Sequence, residues 1–152
     1  MKQRLVFWVV LILFAAAPTG IAGDGAGIRW KPYKEGIALA KQEGKKIYLH
    51  FYADWCTYCK QMDQSTFMAT EVMSYLNKHF IPVRVDTDKE KEVARKYNVR
   101  PIPDNWFLDG KGERIANRPG YISPGDLYLL LKYYRTDSYK QLSYRKFAER
   151  EK

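Results

Sequence analysis

Lys46 to Ala53 reads as a strand with no wet face. Ile47, Leu49 and Phe51 fall on one side and Tyr48, His50 and Tyr52 on the other, because successive strand side chains alternate. Both sets are bulky, which suits a central strand covered by other elements on both faces. Immediately after it the chain turns and carries Cys56-Thr57-Tyr58-Cys59, the only two cysteines of its 152 residues. A buried strand that gives way to a helix at a CxxC pair leaves few architectures open.

The rest of the pattern narrows them. Pro32 opens a helix with Tyr33, Ile37 and Ala40 on one face, and Gly44 is placed to end it. Residues 24–31 are Gly-rich and read as loose. Helices are expected from Cys56 to about Thr66 and from Thr70 to His79, and a strand from Phe80 to Val85. Asp86 to Asp88 then reads as a turn and helix cap, followed by a short helix from Lys89 to Tyr97. Arg100-Pro101-Ile102-Pro103 is a stiffened loop. Trp106 to Leu108 and Glu113 to Asn117 are strands joined at Asp109-Gly110-Lys111-Gly112. Ser123 or Asp126 caps a last helix whose Leu127, Leu130, Leu131 and Tyr134 share one face. The order helix, strand, helix, strand, helix, strand, strand, helix specifies an α/β fold around a mixed sheet of about four strands. The domain is expected over 24–135, with a basic tail over 136–152 that holds at most one more weak helix.

The first residues read as an address. Lys2 and Arg4 precede an apolar run from Leu5 to Ala17, short of the roughly 20 residues that span a bilayer. Gly20-Ile21-Ala22 resembles a cleavage site, so residues 1–23 are expected to be a signal peptide, the alternative being an uncleaved anchor. Formal charge is +9; removing 1–23 takes away Lys2 and Arg4 and no acid, leaving +7. Scattered lysines on an exported chain point to a solvated surface rather than to nucleic acid. A monomer is expected.

Two cysteines make one bridge at most, too few for a disulfide scaffold. Haem attachment needs a histidine where Lys60 stands. Zinc needs about four ligands, and only His50 and His79 add to the pair, without finger spacing. No metal or cofactor is therefore expected. A permanently closed bridge over three residues would restrict little of the unfolded chain. The redox reading places Cys56 in the first helical turn, where unpaired N–H groups and the dipole favour thiolate. Cys59 stands close enough to attack a mixed disulfide at Cys56.

Tyr52-Ala53-Asp54-Trp55-Cys56-Thr57-Tyr58-Cys59-Lys60 resembles the active-site segment of the thioredoxin family, W-C-x-x-C-K after a buried strand. Tyr97-Asn98-Val99-Arg100-Pro101-Ile102-Pro103 resembles the family's second signature, and Phe107-Leu108-Asp109-Gly110-Lys111-Gly112 the strand and turn that follow. The likeness covers roughly residues 30–135. Within the family the chain looks closest to secreted bacterial thioredoxin-like proteins, including the C-terminal domain of the membrane reductase DsbD. The resemblance implies a thioredoxin fold and a cell-envelope thiol–disulfide oxidoreductase. Its partners would be disulfide-containing or dithiol proteins and a membrane or periplasmic electron donor.

It also implies roles. Pro103 would be cis, Ile102 would offer its main chain to substrate, Trp55 would shield the disulfide, and Thr57-Tyr58 would tune the pair and meet the substrate. The plainer alternatives are a trans turn proline and a core tryptophan. Where ordinary members carry a buried aspartate, six residues before the nucleophile, this chain has His50, with Arg84 as basic neighbour. Either His50 takes the proton from Cys59 or it is a hydrogen-bonded core histidine. Asp104 and Pro101 also depart from the family pattern, at the substrate loop. Thr57-Tyr58 lacks the histidine of strong oxidants, which favours reduction or isomerisation. Two other classes compete: a binding module acting through the tail tyrosines (Tyr128, Tyr133, Tyr134, Tyr139, Tyr144), and a metal carrier.

Overall fold

The computed structural model describes residues 27–151; segment 1–23, expected above to be a signal peptide, lies outside them. Four strands, β1 (Lys46–Tyr52), β2 (Phe80–Asp86), β3 (Asp104–Leu108) and β4 (Arg114–Pro119), form one sheet in the order β2-β1-β3-β4. β1 runs parallel to β2 and antiparallel to β3, and β3 is antiparallel to β4. The doubly bulky strand β1 is thus central. Among the described residues the helices around the sheet are α1 (Tyr33–Glu43), α2 (Thr57–Gln64), α3 (Thr70–His79), α4 (Lys91–Lys96) and α5 (Pro124–Arg135), with α6 (Tyr144–Arg150) packed on α5. This is the thioredoxin fold, with a mixed four-stranded sheet between helices.

The alternation of β1 divides the core in two. Ile47, Leu49 and Phe51 join Ile81, Val83 and Val85 of β2 beneath Ala40 of α1 and Tyr97 after α4. Tyr48 joins Met62 of α2, Val72 and Leu76 of α3, and Leu127 and Leu131 of α5 on the other face. Each of these side chains is essentially sealed from water, and burying one stabilises the fold by about 1.5–3 kcal/mol. Helix α1 approaches β2 so closely at Gly36 that a Cβ there would overlap the Val83 side chain.

Several boundaries differ from the sequence reading, each for a local reason. The segment before α1 is anchored rather than loose from Gly27 onward. Lys31 forms a parallel bridge to Val83, its N–H donating to the Pro82 carbonyl and its carbonyl accepting from Arg84 N–H. Trp30 then packs edge-on against Phe67, 5.1 Å between ring centres. Pro32 is the N-cap of α1, not its first helical residue. Helix α2 stops at Gln64, and a short 3-10 turn, Thr66–Met68, follows where the Thr66 hydroxyl donates to the Ile122 carbonyl at 2.6 Å. Asp86 does not cap α4, which starts after Glu90 without a side-chain cap. Its Oδ1 accepts instead from the backbone N–H groups of Asp88 and Lys89, closing a tight turn. β3 begins two residues before Trp106, because Asp104 and Asn105 are already paired with β1 and β4. Ser123 caps α5, accepting from Asp126 N–H. In the tail, a 3-10 turn at Ser138–Lys140 leads to α6, whose Phe147 packs 5.2 Å from the ring of Tyr133.

Candidate active site

The strand-to-helix turn after β1 sets the site. Cys56 donates its N–H to the Ala53 carbonyl and has extended dihedral angles, φ −76° and ψ 109°. It is therefore the N-cap of α2 rather than part of the first turn. Its Sγ accepts the backbone N–H of Cys59 at 3.1 Å, the bond that a serine or aspartate makes in an ordinary cap. Cys56 and Cys59 are joined as a disulfide, and both are buried, 4% and 1% exposed.

Around this covered pair the surface is aromatic. Trp55 is 67% exposed and Tyr58 is 61% exposed, so Trp55 is not a core residue. Its indole N–H donates to Asp88 Oδ2 at 2.9 Å. Asp88 is held by the Asp86 turn, and Lys89 in turn pairs with Asp86 at 2.9 Å. That ammonium and the turn's N–H groups keep the Asp86 carboxyl below its ordinary pKa, against the opposing effect of burial. The ring of Trp55 is thus tethered from the end of β2. Thr57 is exposed on the first turn of α2.

The Ile102–Pro103 peptide bond is cis, and Pro103 is buried while Ile102 is half-buried. The Pro103 carbonyl accepts the N–H of Gly120, which sits in the left-handed region at φ 91° where glycine carries no strain. Asp104, the next residue, does not face a substrate. It is 3% exposed, and its carboxylate accepts from the Trp106 indole at 2.9 Å and the Asn117 amide at 3.2 Å. Burial raises its pKa despite these donors.

His50, on the same face of β1 as Tyr48, is fully buried. Its Nδ1 lies 2.8 Å from Asn105 Oδ1, which also accepts from the Tyr48 hydroxyl at 2.7 Å. Its ring stacks parallel to Tyr52, 6.2 Å away, and meets Phe67 edge-on at 4.9 Å. Loss of solvation lowers its pKa from 6.5 to about 3; the Asn105 hydrogen bond opposes this, and the charge of Arg84 adds to it. Arg84 faces His50 across the β1–β2 register. Its guanidinium lies 3.9 Å over the Tyr52 ring and 5.7 Å from Trp30, and pairs with Asp63 of α2 at 2.7 Å. Trp30, Asp63 and Asn105 were not singled out from the sequence. A lone tryptophan between Arg29 and Lys31 was the available sign for the first; nothing marks an asparagine in mid-strand as central.

Among the described residues no three His, Cys, Asp or Glu side chains gather as a metal site, and no helix is long and apolar enough to cross a membrane.

A dithiol pair at a helix cap, on a sheet of this order, defines the thiol–disulfide oxidoreductases of the thioredoxin fold. The chain belongs to the thioredoxin-like family, whose domain model matches residues 33–135. It is 35% identical over 85 residues to the thiol:disulfide interchange protein DsbD of Vibrio cholerae, covering 53% of this chain and 14% of DsbD. It is 30% identical over 112 residues to the disulfide bond reductase DsbH of Chlamydia pneumoniae, covering 66% of each. The chain therefore spans less than two thirds of the length of these relatives. Among solved structures it is similar to a DsbH oxidoreductase, with TM-score 0.64, 25% identity, and 74% and 87% of the two chains covered. It is similar also to a thioredoxin from Thermus thermophilus, with TM-score 0.65, 27% identity, and 71% and 87% covered.

Proposed function

We propose that this chain is an exported thiol–disulfide oxidoreductase of the cell envelope, acting in the reducing or isomerising direction. One observation carries the reading: Cys56 caps α2 and its sulfur already receives an N–H from the helix start. In the reduced protein that N–H and the helix dipole favour a thiolate over a thiol. The Cys56 thiolate attacks one sulfur of a substrate disulfide; a Cys56–substrate bond forms, the substrate bond breaks, and the second substrate sulfur leaves as thiolate. Cys59 then loses its proton and attacks Cys56 Sγ. The intramolecular disulfide forms, the substrate leaves with its second thiol, and two electrons have passed from protein to substrate. The Cys56–Cys59 bridge seen in the structure is the bond such a step would form. A dithiol donor in the envelope must return the pair to the reduced form.

The remaining roles follow from position. Trp55, Thr57 and Tyr58 present an exposed rim for a substrate to meet, and the family resemblance assigns the main chain of Ile102 and Pro103 to the substrate as well. His50 is neutral throughout the physiological range, because its pKa lies near 3. Full protonation by a thiol of pKa about 8.5 would be uphill by roughly 7 kcal/mol. We assign His50, by the family resemblance at its position six residues before Cys56, the part of a neutral hydrogen-bond acceptor for the Cys59 proton; its buried Nε2 has no other partner among the described residues. The name disulfide bond reductase, carried by DsbH, supports the direction, and the basic, apolar run at residues 2–17 supports export.

The test is trapping. Cys59→Ala with Cys56 intact should accumulate mixed disulfides with envelope proteins, and the parent protein should accelerate insulin reduction by dithiothreitol. No trapped species and no acceleration would refute the activity. A reduction potential near −120 mV, that of a strong oxidant, would reverse the direction.

A further inference from the structure

The acceptor role of His50 requires a lone pair on one particular ring nitrogen, and the hydrogen bonds around Asn105 decide which. Asn105 is fully buried in β3, directly opposite His50 in the antiparallel register. Its amide nitrogen lies 3.0 Å from the Arg118 carbonyl oxygen and 3.1 Å from that of Gly120. Carbonyl oxygens only accept, so this end of the amide is the NH2 and the other is the oxygen. That oxygen can only accept in turn. The Tyr48 hydroxyl donates to it at 2.7 Å, and His50 Nδ1, at 2.8 Å, must donate as well. In a neutral ring with its proton on Nδ1, Nε2 carries the lone pair. Nε2 is buried, and it is one of two such side-chain atoms without a partner among the described residues; the other, Arg84 Nε, is a donor.

We propose that Asn105 is a positioning residue: it fixes His50 in the Nδ1–H tautomer and so leaves the lone pair on the buried, unpartnered Nε2. The inference rests on the role given to His50 above. With an aliphatic side chain at 105, Nδ1 would lose its acceptor, and a proton moving to Nε2 would turn the acceptor into a donor. The same amide also reaches the proline loop. Gly120 accepts from Asn105 through its carbonyl and donates its N–H to the Pro103 carbonyl at 2.7 Å. The imidazole and the main chain proposed to meet substrate therefore share one hydrogen-bonded frame, anchored on three residues, which holds both in fixed relative positions.

The test reads the ring directly. Long-range proton–nitrogen correlation spectra of 15N-labelled oxidised protein at neutral pH should show Nδ1 as the protonated, pyrrole-type nitrogen of His50 and Nε2 as the bare, pyridine-type one. The reverse pattern overturns the proposal, and this measurement needs no variant. In Asn105→Ala the proton should shift towards Nε2. Release of substrate from the Cys56 mixed disulfide should then slow about tenfold, less than the roughly 10²-fold or more that losing a positioned base costs. The first attack by Cys56 should slow less than this release, by no more than the loosened Gly120–Pro103 tie accounts for. A variant that keeps the original ring pattern, or one that changes it with resolution unaltered, refutes the assignment. Because the spectrum is taken on resting protein, a normal ring pattern in a protein that turns over no disulfide refutes the activity and leaves the tautomer standing.

Discussion

Burying a histidine whose conjugate acid has a pKa near 3 makes the fold sensitive to mild acid. In the unfolded chain the same imidazole titrates at about 6.5. Between these two values the unfolded state binds a proton that the folded state refuses, so stability is complete above about 6.5 and falls as pH drops. From pH 7 to pH 5 the linkage removes about 2 kcal/mol, and by pH 3 about 4 kcal/mol, at 1.36 kcal/mol per unit. His50→Gln carries no titrating ring and should lack this loss. The assay is guanidinium unfolding of the oxidised proteins at pH 7 and pH 5, at one ionic strength, followed by tryptophan fluorescence. Wild type should lose about 2 kcal/mol more than the variant between the two conditions. Asp104 and Glu90, raised by burial, shift stability in the opposite sense on acidification; Asp86 and Asp137, lowered by their lysine partners, lose theirs in stronger acid. All four are common to both proteins and cancel in the difference. Equal losses, within the roughly 0.5 kcal/mol of ordinary surface effects, would show that the imidazole is solvated and refute the account of the site built on it.

Other substitutions probe the scaffold, each read as a shift in the denaturant midpoint. Gly36→Ala should destabilise by about 1–2 kcal/mol, since overpacking against Val83 exceeds the roughly 1 kcal/mol gained in helix propensity. Trp30→Ala should cost about 2 kcal/mol through lost contact with Phe67 and Arg84, below the range for a fully buried tryptophan because the ring is only half covered. Ser123→Ala should cost about 1 kcal/mol by removing the cap of α5.

The parts of the molecule that were legible in the sequence are those where one force acts alone. The alternating bulk of β1 placed it in mid-sheet, and the spacing of Leu127, Leu130 and Leu131 placed α5 on the core. The cysteines were legible because few other uses of CxxC survive at this spacing. What stayed hidden depends on distant partners. The glycines of 24–31 suggested slack, but Lys31 is tied down by β2, some fifty residues away. Asp86 looked like a helix cap because caps and tight turns use the same residues, and only the observed acceptors separate them. Asp104 stood out in the sequence only as a departure from the family pattern after Pro103; its carboxylate turns inward to Trp106 and Asn117. Asn105 gave no sign, since its importance lies in a ring 55 positions earlier.

The bridge of Lys31 to β2 bears on how the protein behaves in a crowded compartment. An outer strand offers its bare backbone to any extended chain that passes, the usual first step of sticking together. Here the flank of β2 is occupied at its middle by the protein's own main chain, and Pro82 withholds a donor there. The opposite flank, β4, presents Arg114, Arg118 and Pro119. Both margins of the sheet are thereby made unwelcoming to foreign strands.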